Sequence, residues 1–191
     1  MIRLLCLATL GFLVAITVIP PPSSVAGATA ALPFSTLTLQ EEESWAWVGT
    51  SDQASASLAD ELEVALFELT NRDRINSGLP ALEFDYELLE VARARAGAQM
   101  PETTLSHLDA SGRLVFVDTI DALGVRYRLI GENLVKVDPP GATAALRAER
   151  ALMASPSHQT NILESTFQTL AVGVITDGQG RVIFAQIFRS T

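Results

Sequence analysis

The stretch Leu129-Ile130-Gly131-Glu132-Asn133-Leu134-Val135-Lys136-Val137 predicts a buried β-strand that carries a carboxylate near its middle. A buried carboxylate is costly unless it is hydrogen-bonded, ion-paired or bound to a metal, so Glu132 needs partners. The only two histidines of the chain lie in short polar segments on either side of this strand, Ser106-His107 and Ser155-Pro156-Ser157-His158. We therefore expect the strand and the two segments to form one site.

Upstream of this strand, the spacing of apolar residues predicts two longer helices and a shorter one. The first is expected to begin at Ser57 as N-cap and to run to about Ile75, with Gly78 as its stop. Asp85 is expected to cap a second, alanine-rich helix that continues to about Met100. A shorter helix is predicted from about Phe116 to Leu123, before the strand.

Downstream of the strand, a fourth helix is predicted over Ala142 to Met153, and Pro156 suits the first turn of one more short helix. Leu170 to Ile175 and Val182 to Phe188 flank a glycine-containing turn and predict a β-hairpin. A hairpin requires antiparallel pairing. The residues therefore predict an α+β domain in which helices cover an antiparallel sheet.

The N-terminal residues are typical of a secretory signal peptide rather than of the domain. A short basic start with Arg3 precedes an apolar run from Leu4 to Ile19, and small residues suitable for cleavage follow up to residue 28. A membrane anchor is the alternative, but the run is shorter than the ~20 residues that cross a bilayer. We expect a signal peptide at 1–28, a flexible linker at 29–56 that carries Trp45 and Trp47, and a domain at 57–191.

Composition restricts the function in two ways. Cys6, the only cysteine, would leave with the signal peptide, so thiol redox chemistry, thiolate metal sites and disulfides are excluded from the secreted domain. Removal of Arg3 would leave 12 of the 13 basic residues against 22 acidic ones, a net charge of −10. This charge argues against nucleic acid or an anionic lipid surface as the partner.

Two interpretations of the charged strand remain open from the residues alone. His107, Glu132 and His158 would suit a zinc ion with water in the open position, although their wide separation in sequence makes this a weak signal. In the structural alternative, Glu132 holds an arginine such as Arg74 or Arg128, His107 is a loop residue, and His158 closes a helical turn.

The order of motifs resembles the bacterial secreted branch of the SCP/CAP superfamily, which is named for cysteine-rich secretory proteins, antigen 5 and pathogenesis-related proteins. The similarity extends from about Leu62 to Phe188. It rests on Asn71-Arg72-Asp73-Arg74, Gly78-Leu79-Pro80-Ala81-Leu82, Asp85, Ser106-His107, Gly124-Val125, Gly131-Glu132-Asn133, Ser155-Pro156-Ser157-His158, Asn161-Ile162-Leu163, Val172-Gly173-Val174, Gln186 and Phe188.

This resemblance implies a three-layer α-β-α sandwich around a central antiparallel sheet. It also implies a cleft at His107, Glu132 and His158 that binds zinc or another divalent ion in some members. Asp109 is the nearest candidate for a fourth cleft residue. Three departures stand out: Ser111 replaces a frequent aspartate, Leu152 replaces a tryptophan before the Ser-Pro-x-His motif, and Arg95 replaces a histidine often found in helix two.

Structural roles are expected for a further set of polar residues in these motifs. Asparagine at the end of a segment binds loose backbone groups, which predicts such roles for Asn71, Asn133 and Asn161. The resemblance extends the set to Arg74 and Gln186. None of the five is expected to carry chemistry.

Two classes of function follow from the resemblance. The first is a secreted, monomeric domain that binds an extracellular lipid, cell-wall or protein ligand, with or without a divalent ion. The second is a zinc-dependent hydrolase in which Glu132 is a ligand or the general base. No serine or cysteine nucleophile with an evident base accompanies the histidines, so a hydrolase would depend on a metal.

Overall fold

A computed structural model describes residues 51–141, 143–177 and 180–191, with side chains from Leu58 onward. The predicted signal peptide and most of the predicted linker, including Trp45 and Trp47, lie outside the described residues. The elements are α1 (Ser51–Asn76), β1 (Glu83–Phe84), α2 (Leu89–Ala98), α3 (Val115–Ala122), β2 (Leu129–Val137), α4 (Ala144–Ala154), α5 (Pro156–Ile162), β3 (Thr169–Thr176) and β4 (Val182–Ser190).

Helix α1 is longer than its sequence pattern indicates. It begins at Ser51, so Ser57 lies inside the helix and is not its N-cap, and the last residues of the predicted linker are helical. The periodic apolar residues begin only at Leu58, so the sequence pattern does not indicate the earlier start at Ser51. The predicted end is confirmed, because Gly78 adopts φ 78° and donates its N–H to the Ile75 carbonyl at 3.0 Å.

Asp85 lies before helix α2 but does not cap its first turn directly. Its Oδ1 accepts the Leu88 N–H at 3.2 Å, within the turn that precedes the helix, and the helix begins at Leu89. The second oxygen accepts hydrogen bonds from Thr169 at 2.6 Å and from Arg189 at 2.7 Å. Asp85 therefore ties the start of α2 to two strands of the sheet.

The four strands form one sheet in the order β1-β3-β4-β2. Strands β3 and β4 form the predicted hairpin, and β2 pairs antiparallel with β4 from Leu129↔Ser190 to Val137↔Val182. The two-residue strand β1 runs parallel to β3, so the sheet is mixed rather than wholly antiparallel. Two residues are too few to show a period, and β1 was therefore not predicted.

Alternation along the strands separates two helical layers. On one face, Val135, Val172 and Phe184 pack with α1, α4 and α5. On the other face, the alternate strand residues pack with α2 and α3, as Ile130 and Ile187 do. The predicted three-layer α-β-α sandwich is confirmed. Among the helices that the structure describes, none is long and apolar enough to cross a membrane.

Gly173 allows α2 to lie directly on the sheet. A Cβ atom at this position would lie 2.2 Å from the carbonyl carbon of Ala92 and 2.2 Å from the amide nitrogen of Arg93, both in the backbone of α2. Contacts this short do not occur for real side chains. The missing side chain therefore sets how close the following turn of α2, which carries Arg95, comes to the sheet.

Candidate functional site

Glu132 lies on the face of β2 that is covered by α2, and its side chain is fully buried. The Nε of Arg95 donates to Oε1 at 2.6 Å, and a terminal nitrogen of the same guanidinium lies 3.2 Å from Oε2. Nδ1 of His107 lies 2.5 Å from Oε2. Both carboxylate oxygens are therefore held by cationic or hydrogen-bonding side chains.

Helix α2 also holds the loop that carries His107. Gln99 exchanges two hydrogen bonds with the Ser106 peptide, accepting its N–H at 2.8 Å and donating to its carbonyl at 3.1 Å. Arg95 donates to the same carbonyl at 2.9 Å. Arg95 and Gln99 are four residues apart and therefore lie on one face of the helix. Together they fix the peptide that places the imidazole of His107 on Glu132.

Asn133 and Asn161 connect β2 to α5 on the opposite face of the sheet. The Asn133 amide donates to the His158 carbonyl at 3.2 Å, and the Asn161 amide donates to the Glu132 carbonyl at 3.2 Å and to Asn133 Oδ1 at 2.9 Å. Gly131 leaves room for this contact, since a Cβ there would lie 3.2 Å from Asn161 Oδ1. The two amides thus fix His158 relative to the strand of Glu132.

A buried chain of polar side chains continues from Asn133 into the layer of α1 and α4. Asn133 donates to Gln186 at 3.0 Å, Gln186 donates to Thr70 at 2.8 Å, and Thr70 donates to Glu149 at 3.0 Å. Burial raises the pKa of Glu149 to about 7, against the opposing effect of the Thr70 hydrogen bond. Hydrogen bonds thereby link four buried polar side chains from β2, β4, α1 and α4 across the domain.

His158 is neutral at physiological pH. Burial, together with a smaller electrostatic effect of His107, lowers the pKa of its imidazole to about 4. The hydrogen bonds of Asn133 and Asn161 place the segment of His158 beside the strand that carries Glu132. Each histidine keeps only 6% of its surface exposed, and Nε2 of His158 is a buried atom.

Asp109 is held within its own loop. Its Oδ1 accepts hydrogen bonds from the N–H and hydroxyl of Ser111 and from the Arg113 N–H, and its Oδ2 accepts two from the Arg113 guanidinium. These bonds, led by the Ser111 hydroxyl, keep the pKa of Asp109 well below its usual range. The carboxylate of Asp109 thus stabilises the loop that follows His107. This role differs from the predicted one, in which Asp109 is the fourth residue of the cleft.

Asn71 and Arg74 bind the backbone near the end of α1. Asn71 pairs with both the N–H and the carbonyl of Leu82, at 2.7 and 3.0 Å. The fully buried Arg74 donates to three carbonyls, those of Pro80, Ile162 and Glu164. Arg74 is therefore not the partner of Glu132, which pairs with Arg95 instead.

The three predicted ligands do not fit a divalent ion as they are arranged. The guanidinium of Arg95 lies against both oxygens of Glu132, and its positive charge would repel a second cation at this carboxylate. Within residues 51–141, 143–177 and 180–191, no three His, Cys, Asp or Glu side chains are grouped to hold a metal ion.

Arg95 and Gln99 are the functional residues that sequence reasoning missed. In the sequence Arg95 stands out only as a replacement for a histidine. Its position is nevertheless a signal of a buried ion pair, because Arg95 lies between Ala92 and Ala96 on the buried face of an alanine-rich helix. An arginine on such a face requires a buried anion, and Glu132 is the carboxylate inside the apolar strand.

The domain can be compared with known proteins. Residues 67–188 match the cysteine-rich secretory protein family, CAP. The chain is 30% identical over 116 residues to the uncharacterized protein YkwD of Bacillus subtilis, a match that covers 61% of this chain and 43% of YkwD.

Two solved structures have the same fold. An extracellular SCP-domain protein from Bacillus anthracis matches with a TM-score of 0.62 and 23% identity, over 76% of this chain and 45% of that protein. An outer surface protein from Borrelia burgdorferi matches with a TM-score of 0.58 and 20% identity, over 69% of this chain and 92% of that protein. The chain thus spans less than half the length of YkwD and of the Bacillus anthracis protein.

Proposed function

Because the chain belongs to the cysteine-rich secretory protein (CAP) family, we propose that it is an extracellular binding module. Its ligand is an uncharged, hydroxyl-rich molecule of the cell-wall glycan type, bound at the imidazoles of His107 and His158. The basic start and apolar run within residues 1–28 support export. The acidic composition supports a ligand that is not an anionic polymer.

The observation that carries this proposal is the complete engagement of Glu132. Its side chain has no exposed surface, and Arg95 and His107 hold both of its oxygens. Each histidine keeps 6% of its surface exposed, and imidazole nitrogens form hydrogen bonds with hydroxyl groups. A lipid tail would need an apolar surface, which these side chains do not provide.

The same observation disfavours the zinc-dependent hydrolase. A general base must reach the proton that it removes, and a metal ligand must offer a lone pair. Glu132 would have to leave the Arg95 guanidinium to do either, which would leave a buried cation without its counter-charge. No contact in the described part of the chain favours hydrolysis over binding.

The test is sedimentation of the exported protein with purified peptidoglycan, compared with phosphatidylcholine vesicles. His107→Asn keeps an N–H donor at the position of Nδ1 and removes the outer ring nitrogen, so the Glu132 contact is retained. We expect it to weaken peptidoglycan binding by about tenfold, as for the loss of one hydrogen bond.

Thr160→Ala is the matched control for this experiment. Thr160 is exposed on α5, two residues from His158, and its hydroxyl bonds only to the Pro156 carbonyl of its own helix. Binding of this variant should equal that of the unmodified protein. Equal binding by His107→Asn, or sedimentation with the vesicles and not with peptidoglycan, would contradict the proposal.

A further inference from the structure

The carboxylate of Glu132 already has a cation built into the fold. Arg95 approaches it with two nitrogens, at 2.6 and 3.2 Å, in the side-on geometry that matches a guanidinium to a carboxylate. The side chains of Arg95 and Glu132 are 4% and 0% exposed. A guanidinium remains protonated in proteins, so this cation cannot be lost by titration.

Three further features of the structure keep the guanidinium in place. Arg95 donates to the Ser106 carbonyl at 2.9 Å, and Gln99, which directly follows α2, holds the same peptide with two hydrogen bonds. Gly173 lets the backbone of α2 lie against β3, which sets the distance that the Arg95 side chain must span. An ion entering the cleft would have to displace a side chain that is bonded at both the carboxylate and the loop.

We infer that Arg95 takes the place of a divalent metal in this cleft, and that the domain binds its ligand without a metal. The inference rests on the proposed function only in assuming that a ligand exists. Whether the cleft excludes a metal can be measured without that ligand. Arg95 is a positioning residue: it fixes Glu132, and through Ser106 it fixes the loop of His107. The His107–Glu132 contact is therefore held by a covalently attached cation that no chelator removes.

The substitution Arg95→His tests this directly. Nε2 of histidine and Nε of arginine are both four bonds from Cα, so the imidazole can present a nitrogen where Nε now lies 2.6 Å from Glu132. The change removes the fixed charge and supplies a lone pair beside a released carboxylate. We expect zinc to bind Arg95→His at least about tenfold more tightly than the unmodified protein, as for the gain of a metal ligand.

Zinc alone is the probe, added to the purified protein in a calorimeter and, separately, during thermal unfolding. Arg95→Lys is the control, because it keeps a positive charge at the carboxylate and should give no gain in zinc affinity. Arg95→Gln keeps a hydrogen-bond donor without the charge. If Arg95→His does not fold, stronger zinc binding by Arg95→Gln than by Arg95→Lys supports the inference, and equal binding overturns it.

Saturable zinc binding by the unmodified protein, equal to that of Arg95→His, would also overturn the inference. This result is independent of the proposed function. If the protein still binds peptidoglycan after treatment with a chelator, both the proposed function and the metal-free cleft are supported. If the chelator abolishes peptidoglycan binding, only the metal-free cleft is refuted. Absence of peptidoglycan binding together with the expected zinc result refutes only the proposed ligand.

Discussion

Replacing Glu132 with glutamine distinguishes a buried ion pair from a carboxylate that awaits a metal. Glutamine has nearly the same shape, so the packing against α2 is retained while the negative charge is lost. Arg95, whose side chain is 4% exposed, would then be a buried cation without its counter-charge. We therefore expect Glu132→Gln to destabilise the domain strongly in the complete absence of metal.

The magnitude follows from the contacts. At ~4 Å between charge centres and an effective dielectric constant of ~20, one ion pair contributes about 4 kcal/mol. Removal of one partner of a buried pair costs about 3–5 kcal/mol. The short contact with His107 Nδ1 adds a hydrogen bond to a charged oxygen. An expected loss of about 4 kcal/mol is a large part of the ~5–15 kcal/mol that stabilises a domain.

Urea unfolding at pH 7, with chelator present, measures this difference. Glu90→Gln is the matched control, because Glu90 also pairs with an arginine of α2, Arg93, at 3.4 Å but is 82% exposed. Exposed pairs contribute about 0–1 kcal/mol, so the control should change little. A loss below about 1 kcal/mol for Glu132→Gln would refute the assignment of Arg95 as its obligatory partner.

Two further predictions concern stability. Gly173→Ala would place a Cβ against the backbone of α2 and should destabilise the domain by about 1–3 kcal/mol. Gly97→Ala, within α2 and facing open space, should stabilise it by about 0.5–1 kcal/mol. Urea unfolding midpoints compare the two variants, and equal effects would contradict the close approach of α2 to the sheet. The pKa of His158 is about 4 in the folded protein, below the ~6.5 of the unfolded chain, so the unfolded state binds a proton first as the pH falls. The free energy of unfolding should therefore be unaffected by His158 above pH ~6.5 and should decrease by about 3 kcal/mol as the pH falls to ~4. His158→Gln should have a flatter stability profile over that range, and a parallel profile would refute the lowered pKa.

Much of the fold could be predicted because its signals are local. The hairpin of β3 and β4 and the strand β2 follow from alternation and turn residues, and the end of α1 follows from Gly78. Strand β1 and the first turns of α1 could not be predicted. A strand of two residues is too short to show a period, and the residues before Leu58 show no periodic apolar pattern.

The candidate site could be predicted only in part. The sequence indicated that Glu132 needs partners, because a buried charge must be compensated. The structure pairs Glu132 with His107, and it bonds the carbonyl of His158 to Asn133, the next residue of the strand. The sequence did not indicate which arginine compensates Glu132. Arg74, Arg95 and Arg128 carry the same charge, and only the packing of α2 on Gly173 selects Arg95.

The sequence by itself determined that the carboxylate of β2 must be compensated, because the cost of burying a charge depends on residue type and on the apolar residues around it. Only the tertiary structure decided that a guanidinium compensates it. That choice depends on the distance between α2 and the sheet and on the loop held by Gln99, and both bring together residues that are far apart in the chain.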